Sequence, residues 1–552
     1  MPGALEVSVT DPGNIAFHLT DMAARQPDAD AIICPWGRRG GRLTYRQLDQ
    51  RSSSIARGLE SIGVARGVRT VLMVPPGLDL FALAFALFKA GAVPVLVDPG
   101  IGLKHLKSCL GRAEPAAFIG VSKAHAARVL LGWARSTVQI TVTVGRRFLW
   151  GGRTLAQVET LGEGAPFPQP VAEDEVAAIV FTSGSTGPPK GVVYRHSTFA
   201  AQVEAIRNAY GIEAGEVNLP TFPLFALFDP ALGMTTVIPD MDPTRPAHVD
   251  PEKITGPIRE FGVTTMFGSP ALLDTVSRWG EGRAITLPTL RRVISAGAPV
   301  PPRVIERFQR MLPDGAVIHT PYGATESLPV ATITGAEILS ETRLASERGA
   351  GTCVGRPVDS IETATITITD DPIGTWDESL RVPPGEIGEV VVKGPQVSLA
   401  YFNAPEHDRL AKIADGAAAR HRMGDLGYFD DQGRLWFCGR KAHRVRTAQG
   451  DLFTVPCEAV FNTHPKVFRT ALVGVRSGEA EMPVLCVELE KEVPRSERGG
   501  IRRELQEIAA RFDHTRNIRE VLFHPGFPVD IRHNAKIGRA ALARWAAERV
   551  NV

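Results

Sequence analysis

The stretch Val176-Ala-Ala-Ile-Val-Phe181-Thr-Ser-Gly-Ser-Thr-Gly187-Pro-Pro-Lys190-Gly191-Val-Val-Tyr194 decides the reading of this chain. Its apolar opening reads as a strand, and a loop rich in glycine and hydroxyls, with a single lysine, follows. Gly184 and Gly187 remove Cβ atoms that would hold backbone N–H groups away from a phosphate. Thr182, Ser183, Ser185 and Thr186 add hydroxyl donors, and Lys190 adds a point charge. The pattern is a triphosphate cradle. It is not a Walker loop, in which Gly-Lys-Ser/Thr opens a helix. Here two prolines follow Gly187, and Lys190 leads into Gly191-Val-Val-Tyr194, which reads as another strand.

The sequence around the loop alternates strands with helices. Thr44-x-x-Gln47 resembles a capping box, and Leu48, Ile55, Leu59 and Ile62 recur at helical spacing, predicting a helix over 44–62. Val71-Leu-Met-Val74, a helix around Leu80 to Ala90 and Val93-Pro-Val-Leu-Val97 form a strand, helix, strand unit. The alternation continues through 117–121 and 138–144. Such units imply a largely parallel sheet with helices on both faces, hence an α/β fold. Near Cys438 to Lys441 a Gly- and Asp-rich stretch gives way to the basic Arg440-Lys-Ala-His-Arg-Val-Arg446. We place a boundary there, with a large N-terminal portion at 1–439 and a small α+β domain at 440–552.

Composition narrows the partners. The 62 basic and 60 acidic residues leave a formal charge of +2, so no global field draws in nucleic acid or an anionic membrane. Six cysteines lie far apart with no C-x-x-C pair, which fits reduced thiols and a cytoplasmic location rather than disulfides or zinc. No secretory signal is evident at the N-terminus. The longest apolar run, Leu80 to Phe88, is far short of the roughly 20 residues that span a bilayer, so a buried helix and a soluble protein are expected.

Four further segments set the loop in context: Ser295-Ala-Gly-Ala-Pro299, Tyr322-Gly-Ala-Thr-Glu326, Met423-Gly-Asp425 and Lys536-Ile-Gly-Arg539. Each alone reads as a turn, a cap or a solvated basic face. In this order and at these separations they resemble the adenylate-forming superfamily of acyl-CoA synthetases, luciferases and peptide-synthetase adenylation domains. Gly355-Arg-Pro357, Pro384-Gly-Glu386, Gly439-Arg440 and Glu458 extend the resemblance over nearly the whole chain. It implies a nucleotide held between the large portion and a mobile C-terminal domain, with ATP and Mg2+ as cofactors.

The resemblance also implies roles. The loop Thr182, Ser183, Gly184, Ser185, Thr186, Gly187 and Lys190 would hold the β- and γ-phosphates. Gly297, Ala298 and Pro299 would line one adenine face, with Tyr322 and Gly323 at the other. Thr325 would meet the α-phosphate, and Glu326 would help hold Mg2+, which prefers oxygen ligands. Asp425 would accept from the ribose hydroxyls, Arg440 would contact ribose or phosphate, and Lys536 would reach the α-phosphate and the attacking carboxylate. Two anions must meet in that attack, so positive groups fixed in advance supply the stabilisation.

The chain departs from thiol-using relatives at several points. Ala442 stands where a hinge Asp or Lys is usual, and Val445 to Pro456 is longer than the usual pantetheine-lining hairpin. Ala226 replaces a common histidine, and Ala535 replaces glycine before Lys536. Together with Phe222-Pro-Leu-Phe-Ala-Leu-Phe-Asp-Pro230 and the run Met234 to Arg245, these resemble the β-lactone synthetases of bacterial long-chain olefin biosynthesis. That implies adenylation of a 2-alkyl-3-hydroxyalkanoic acid, whose own hydroxyl then displaces AMP to close the lactone. It also implies assembly with a condensing enzyme, a reductase and a lactone decarboxylase. An acyl-CoA synthetase or fatty acyl-AMP ligase is the alternative; a non-catalytic nucleotide binder is more remote. For ring closure His196, His319 and Asp229 are candidate bases, and a structural role is open for each. Phe225, Phe228 and Met234 are candidates for an alkyl pocket, and core packing explains them equally well.

Overall fold

The computed structural model describes residues 13–37, 40–97, 101–163, 171–182, 189–529 and 537–550. Ser183, Gly184, Ser185, Thr186, Gly187 and Lys536 lie outside the described residues, as does the side chain of Thr182.

The strand reading of the opening stretch holds on both sides of the loop. Val176–Thr182 pairs antiparallel with Lys190–Arg195, with Thr182 opposite Lys190, so the loop closes a hairpin. This hairpin ends a seven-stranded sheet. Next to it come Val93–Val97, Arg69–Met73, Ala117–Val121, Ile140–Val144 and Arg153–Thr154, and all pairs but the hairpin are parallel. The expected strand, helix, strand unit is present as Arg69–Met73, Leu78–Lys89 and Val93–Val97. Its helix is apolar on every side and is accordingly buried from Leu80 to Lys89. Lys89 is accommodated because Nζ donates to Asp49 Oδ1 at 2.7 Å and Ser53 Oγ at 2.8 Å. The helix Tyr45–Ser61 starts at the predicted capping box, with Thr44 and Gln47 each bonding the other's backbone. Among the described residues no helix is long and apolar enough to cross a membrane.

A second, fourteen-stranded sheet supplies most of the site. Its parallel part includes Val217–Pro220, Thr265–Phe267, Arg292–Ile294 and Val317–Ala324. The last of these turns back antiparallel on Ser327–Thr334, leaving Thr325 and Glu326 at the turn. Further antiparallel strands, Thr352–Pro357, Leu435–Arg440 and Ala418–Phe429, complete the wall.

Residues after 444 build their own small cores. Val467–Ser477 pairs antiparallel with Ala480–Leu489, which pairs parallel with Glu520–Phe523. Side-chain alternation splits the sheet's faces: Leu472 and Leu485 pack with Ile501 and Leu505 of one helix, and Val473 and Val484 pack with Leu542 and Ala546 of another.

Candidate active site

One cavity of about 1220 Å³ runs between the two large sheets and the C-terminal residues. Its polar end collects residues from four sequence segments. Ser295 to Pro299 leaves the strand Arg292–Ile294, and Gly297, at φ +98°, adopts a backbone that favours glycine as the chain bends along the wall. Gly297, Ala298 and Pro299 face the same cavity as Tyr322, Gly323 and Thr325.

Asp425 and Arg440 are register partners on neighbouring strands. Arg440 Nη1 lies 3.0 Å from Asp425 Oδ1, and the Tyr322 hydroxyl donates to Asp425 Oδ2 at 2.6 Å. Burial pushes the Asp425 carboxyl above its ordinary range, while Arg440 and the Tyr322 hydrogen bond pull it back. Among the described residues Oδ1 accepts no aligned hydrogen bond, although it is buried. An acceptor in that state is suited to a hydroxyl brought by a ligand.

The turn at Thr325 and Glu326 is held by Tyr194 of the first sheet and by the segment 398–401. The Tyr194 hydroxyl donates to the Thr325 carbonyl, and Ser398 N donates to the Glu326 carbonyl at 2.8 Å. Tyr401 donates its hydroxyl to Glu326 Oε1 at 2.7 Å. The backbone beside Tyr401 extends the Val176–Thr182 and Lys190–Arg195 hairpin: Val193 N donates to Ala400 O, and Phe402 N donates to Gly191 O at 2.7 Å. Residues 398–402 therefore tie the loop's base to the Glu326 turn. Lys190 Nζ and Lys412 Nζ lie 5.1 and 5.7 Å from the centre of the Tyr401 ring. Burial lowers the Lys190 pKa against the pull of Glu326 and Asp408, and it pushes Lys412 down to about 8.

In the C-terminal residues, Arg539 Nη2 donates to Glu458 Oε2 at 2.9 Å, and Leu472 N donates to Glu458 Oε1 at 2.7 Å. Two residues that sequence motifs singled out separately are thus one ion pair, anchoring the segment that follows Lys536. Lys441 Nζ lies 2.9 Å from Glu389, which also pairs with Arg422 at 2.6 Å. Ala442 follows this anchor. The Val445 to Pro456 stretch forms the hairpin Val445–Thr447 and Gly450–Leu452, then a helix from Thr454.

The apolar end of the cavity is lined by Phe222, Phe225, Phe228, Phe88, Phe199 and Phe267, among others. Phe225 meets Phe222 and Phe267 edge-on at 5.1 and 4.6 Å. The other candidates fall outside the lining. His196 is buried, with Nδ1 accepting from Ile15 N at 3.3 Å and its ring 6.2 Å from Phe88. His319 packs on Tyr210 at 5.1 Å, and burial pushes its pKa down to about 4. Asp229 is buried and bound by Asn218 Nδ2 at 2.8 Å and Thr236 Oγ1 at 3.0 Å, while burial pushes its pKa up to about 7. Met234 is core, its carbonyl accepting from the Tyr45 hydroxyl at 2.8 Å. These four are held by partners within the core rather than by the cavity: His196 and Asp229 each open a helix, His319 lies in the strand Val317–Ala324, and Met234 follows the helix that Asp229 opens.

Sequence reasoning missed Tyr401 and Lys412, and also the cavity-lining His421 and His443. Burial depresses both histidines, His443 to about 4, and Lys412 adds to the effect at His421. The only signal for Lys412 was a lysine between Ala411 and Ile413; nothing local marked the histidines.

Comparison with known proteins agrees with this geometry. The model of the AMP-binding enzyme family matches residues 19–402. An olefin beta-lactone synthetase of Stenotrophomonas maltophilia is 53% identical over 551 residues, covering 97% of this chain and 98% of that protein. One of Xanthomonas campestris pv. campestris is 54% identical over 548 residues, with coverages of 97% and 98%. Among solved structures, the amide bond synthetase McbA from Marinactinospora thermotolerans is 22% identical with a TM-score of 0.79, covering 96% of this chain and 99% of that one. It shares the fold of an adenylate-forming enzyme. The cavity's cluster of Tyr322, Glu326, Asp425 and Arg440, together with these matches, assigns the chain to the AMP-binding enzyme family.

Proposed function

We propose that this ATP-dependent, acyl-adenylate-forming enzyme activates the carboxylate of a 2-alkyl-3-hydroxyalkanoic acid and closes it to a β-lactone, releasing AMP and pyrophosphate. The observation that carries this reading is the near-complete overlap, at 53% and 54% identity, with relatives named olefin beta-lactone synthetase. The contiguity of a phenylalanine-rich end with a polar end supports it, since the substrate joins alkyl chains to a carboxylate.

In this reading Asp425 Oδ1 takes a ribose hydroxyl, and Gly297 to Pro299 and Tyr322 enclose the adenine. Thr325 meets the α-phosphate, while Lys190 and the loop from Thr182 to Gly187 hold the distal phosphates. Glu326 suits Mg2+: Tyr401 occupies one carboxylate oxygen and leaves the other, and among the described residues no cluster of three metal-capable side chains is found. A single carboxylate plus substrate phosphates is how proteins usually hold this ion. When bound, Mg2+ supplies charge neutralisation for the phosphates.

A carboxylate oxygen attacks the α-phosphorus, pyrophosphate leaves, and an acyl-AMP anhydride forms. Lys536, carried on a mobile domain over 440–552, offsets the negative charge gathering there. Closure of that domain would also exclude the water that hydrolyses the anhydride. The 3-hydroxyl oxygen then attacks the acyl carbon, its proton is lost, and AMP leaves. Effective concentration replaces an external nucleophile, so no pantetheine tunnel is required. The product is consumed by an enzyme that decarboxylates β-lactones, and assembly with such pathway enzymes belongs to the same proposal.

The test is incubation of the enzyme with ATP, Mg2+ and the hydroxy acid in the absence of any thiol, with products identified by mass and NMR. Lactone is expected. Product that forms only when CoA or a carrier protein is added would replace this reading with that of a thiol ligase.

A further inference from the structure

Residues 115–158 contain no Asp or Glu, yet they carry Lys123, Arg128, Arg135, Arg146, Arg147 and Arg153 in a chain that is otherwise nearly balanced. The same stretch presents unusually exposed apolar side chains. Leu130 is 83% exposed and Val129 55%, at the end of the helix Ser122–Leu131. Phe148 is 55% exposed, and Leu149, at 104%, is fully in solvent at the tip of a loop between strands. Scattered exposed leucines need no explanation, but these are joined. The Trp150 ring stacks on His125 at 5.4 Å, Phe148 meets Trp150 at 5.3 Å, and Ser122 Oγ donates to the Arg146 carbonyl at 2.5 Å. His125 and Val129 are one helical turn apart, so helix and loop form one surface. Lys123, Arg135, Arg146, Arg147 and Arg153 of the same stretch are all exposed.

We infer that this surface binds an anionic lipid bilayer. Charge complementarity argues for the occupant: exposed basic side chains flank the apolar tips in sequence with no acid among them, the composition of an interfacial anchor. Shape argues the same way, because a fully solvated Leu149 at a loop apex is a convex wedge suited to insertion between lipids. The surface lies at the edge of the seven-stranded sheet formed by Ile140–Val144 and Arg153–Thr154, opposite the Lys190–Arg195 hairpin. Lipid contact therefore leaves the cavity open. That a substrate with two alkyl chains would be met at such a surface rests on the proposed function; the binding itself does not.

The test is sedimentation of the full chain, without substrate, with vesicles of phosphatidylcholine alone or containing about one-third phosphatidylglycerol. Binding to the anionic vesicles, weakened by salt, is expected. Each cation lost weakens it roughly fivefold, so Arg146→Glu/Arg147→Glu reduces partitioning at least about 25-fold. Leu130→Ser/Leu149→Ser also reduces it, and in both variants pyrophosphate release from soluble substrate stays at the wild-type rate. Equal binding to neutral vesicles, or undiminished binding by either variant, overturns the inference. So does failure to bind vesicles accompanied by association with protein that Leu130→Ser/Leu149→Ser abolishes, since the surface is then a protein interface.

Discussion

Replacing Asp425 with asparagine removes one charge and changes the volume of the site almost not at all. The amide oxygen can still accept from the Tyr322 hydroxyl, now 2.6 Å from Oδ2, so the strand pairing around it is retained. What is lost is Oδ1, which lies 3.0 Å from Arg440 and accepts no aligned hydrogen bond among the described residues. The asparagine NH2 takes its place and points a donor where the proposed ribose contact needs an acceptor. A hydrogen bond to a charged group contributes about 1.5–3 kcal/mol, which is roughly 10- to 150-fold in affinity at about 1.4 kcal/mol per decade. Calorimetric titration with ATP should show that loss in Kd, and pyrophosphate release should show it in the KM for ATP while the KM for the hydroxy acid stays put. The pH profile gives a second readout. Burial holds the Asp425 carboxyl above its ordinary range, so falling pH protonates it early and weakens ATP binding. The wild type should therefore show an acid limb that the variant lacks. Unchanged ATP affinity, or an effect confined to the acid substrate, would refute the assignment of Asp425 to the ribose.

Tyr401→Phe removes the hydroxyl on Glu326, and the Mg2+ concentration for half-maximal pyrophosphate release should rise about tenfold, in line with one hydrogen bond to a charged group; an unchanged Mg2+ requirement would remove Tyr401 from that role. Lys536→Ala should lower pyrophosphate release at least about 100-fold with ATP affinity changed less than about threefold, because most proposed nucleotide contacts lie in the large portion. Asp229→Ala leaves Asn218 and Thr236 without their buried acceptor and should cost about 3 kcal/mol in urea unfolding, with activity per folded molecule retained. The folded pKa of Asp229, about 7, lies above the ordinary 3.8. Its contribution to stability is thus fully present below that lower value and is lost as pH rises through about 7, and this slope should vanish in the variant. Phe225→Trp should shorten the accepted alkyl chains, with excluded methylenes costing about 0.8 kcal/mol each in the kcat/KM of long substrates.

Much of the large portion was legible because its signals are local. The capping box at Thr44, the apolar helix before Val93 and the strands flanking the glycine-rich loop each depend on neighbours in sequence, and each is found in place. Residues of the cavity's polar end were legible from motif spacing, and the cavity gathers Gly297, Tyr322, Thr325, Glu326, Asp425 and Arg440. What remained hidden depends on contacts across the fold. Tyr401 matters because residues 400–402 add to the Lys190–Arg195 edge and reach Glu326 from another sheet, a relation no local pattern encodes. Asp229 and His196 misled for the same reason. A carboxylate or imidazole beside a motif has the right chemistry, but distant partners decide which way it turns, and here each opens a helix and meets Asn218 or the Ile15 backbone in the core. Glu458 and Arg539 show the opposite case, two recognisable motifs whose purpose as an ion pair only tertiary structure reveals.

The central claim is that the substrate's own hydroxyl displaces AMP from its adenylated carboxylate. It is tested most directly by running the thiol-free reaction with both carboxylate oxygens labelled with heavy oxygen. Attack by that carboxylate on the α-phosphorus, followed by ring closure, leaves one label in AMP and one in the lactone carbonyl, with the unlabelled hydroxyl oxygen in the ring. AMP without label, with both labels kept in the lactone, would mean that the hydroxyl and not the carboxylate is activated, and would contradict the account.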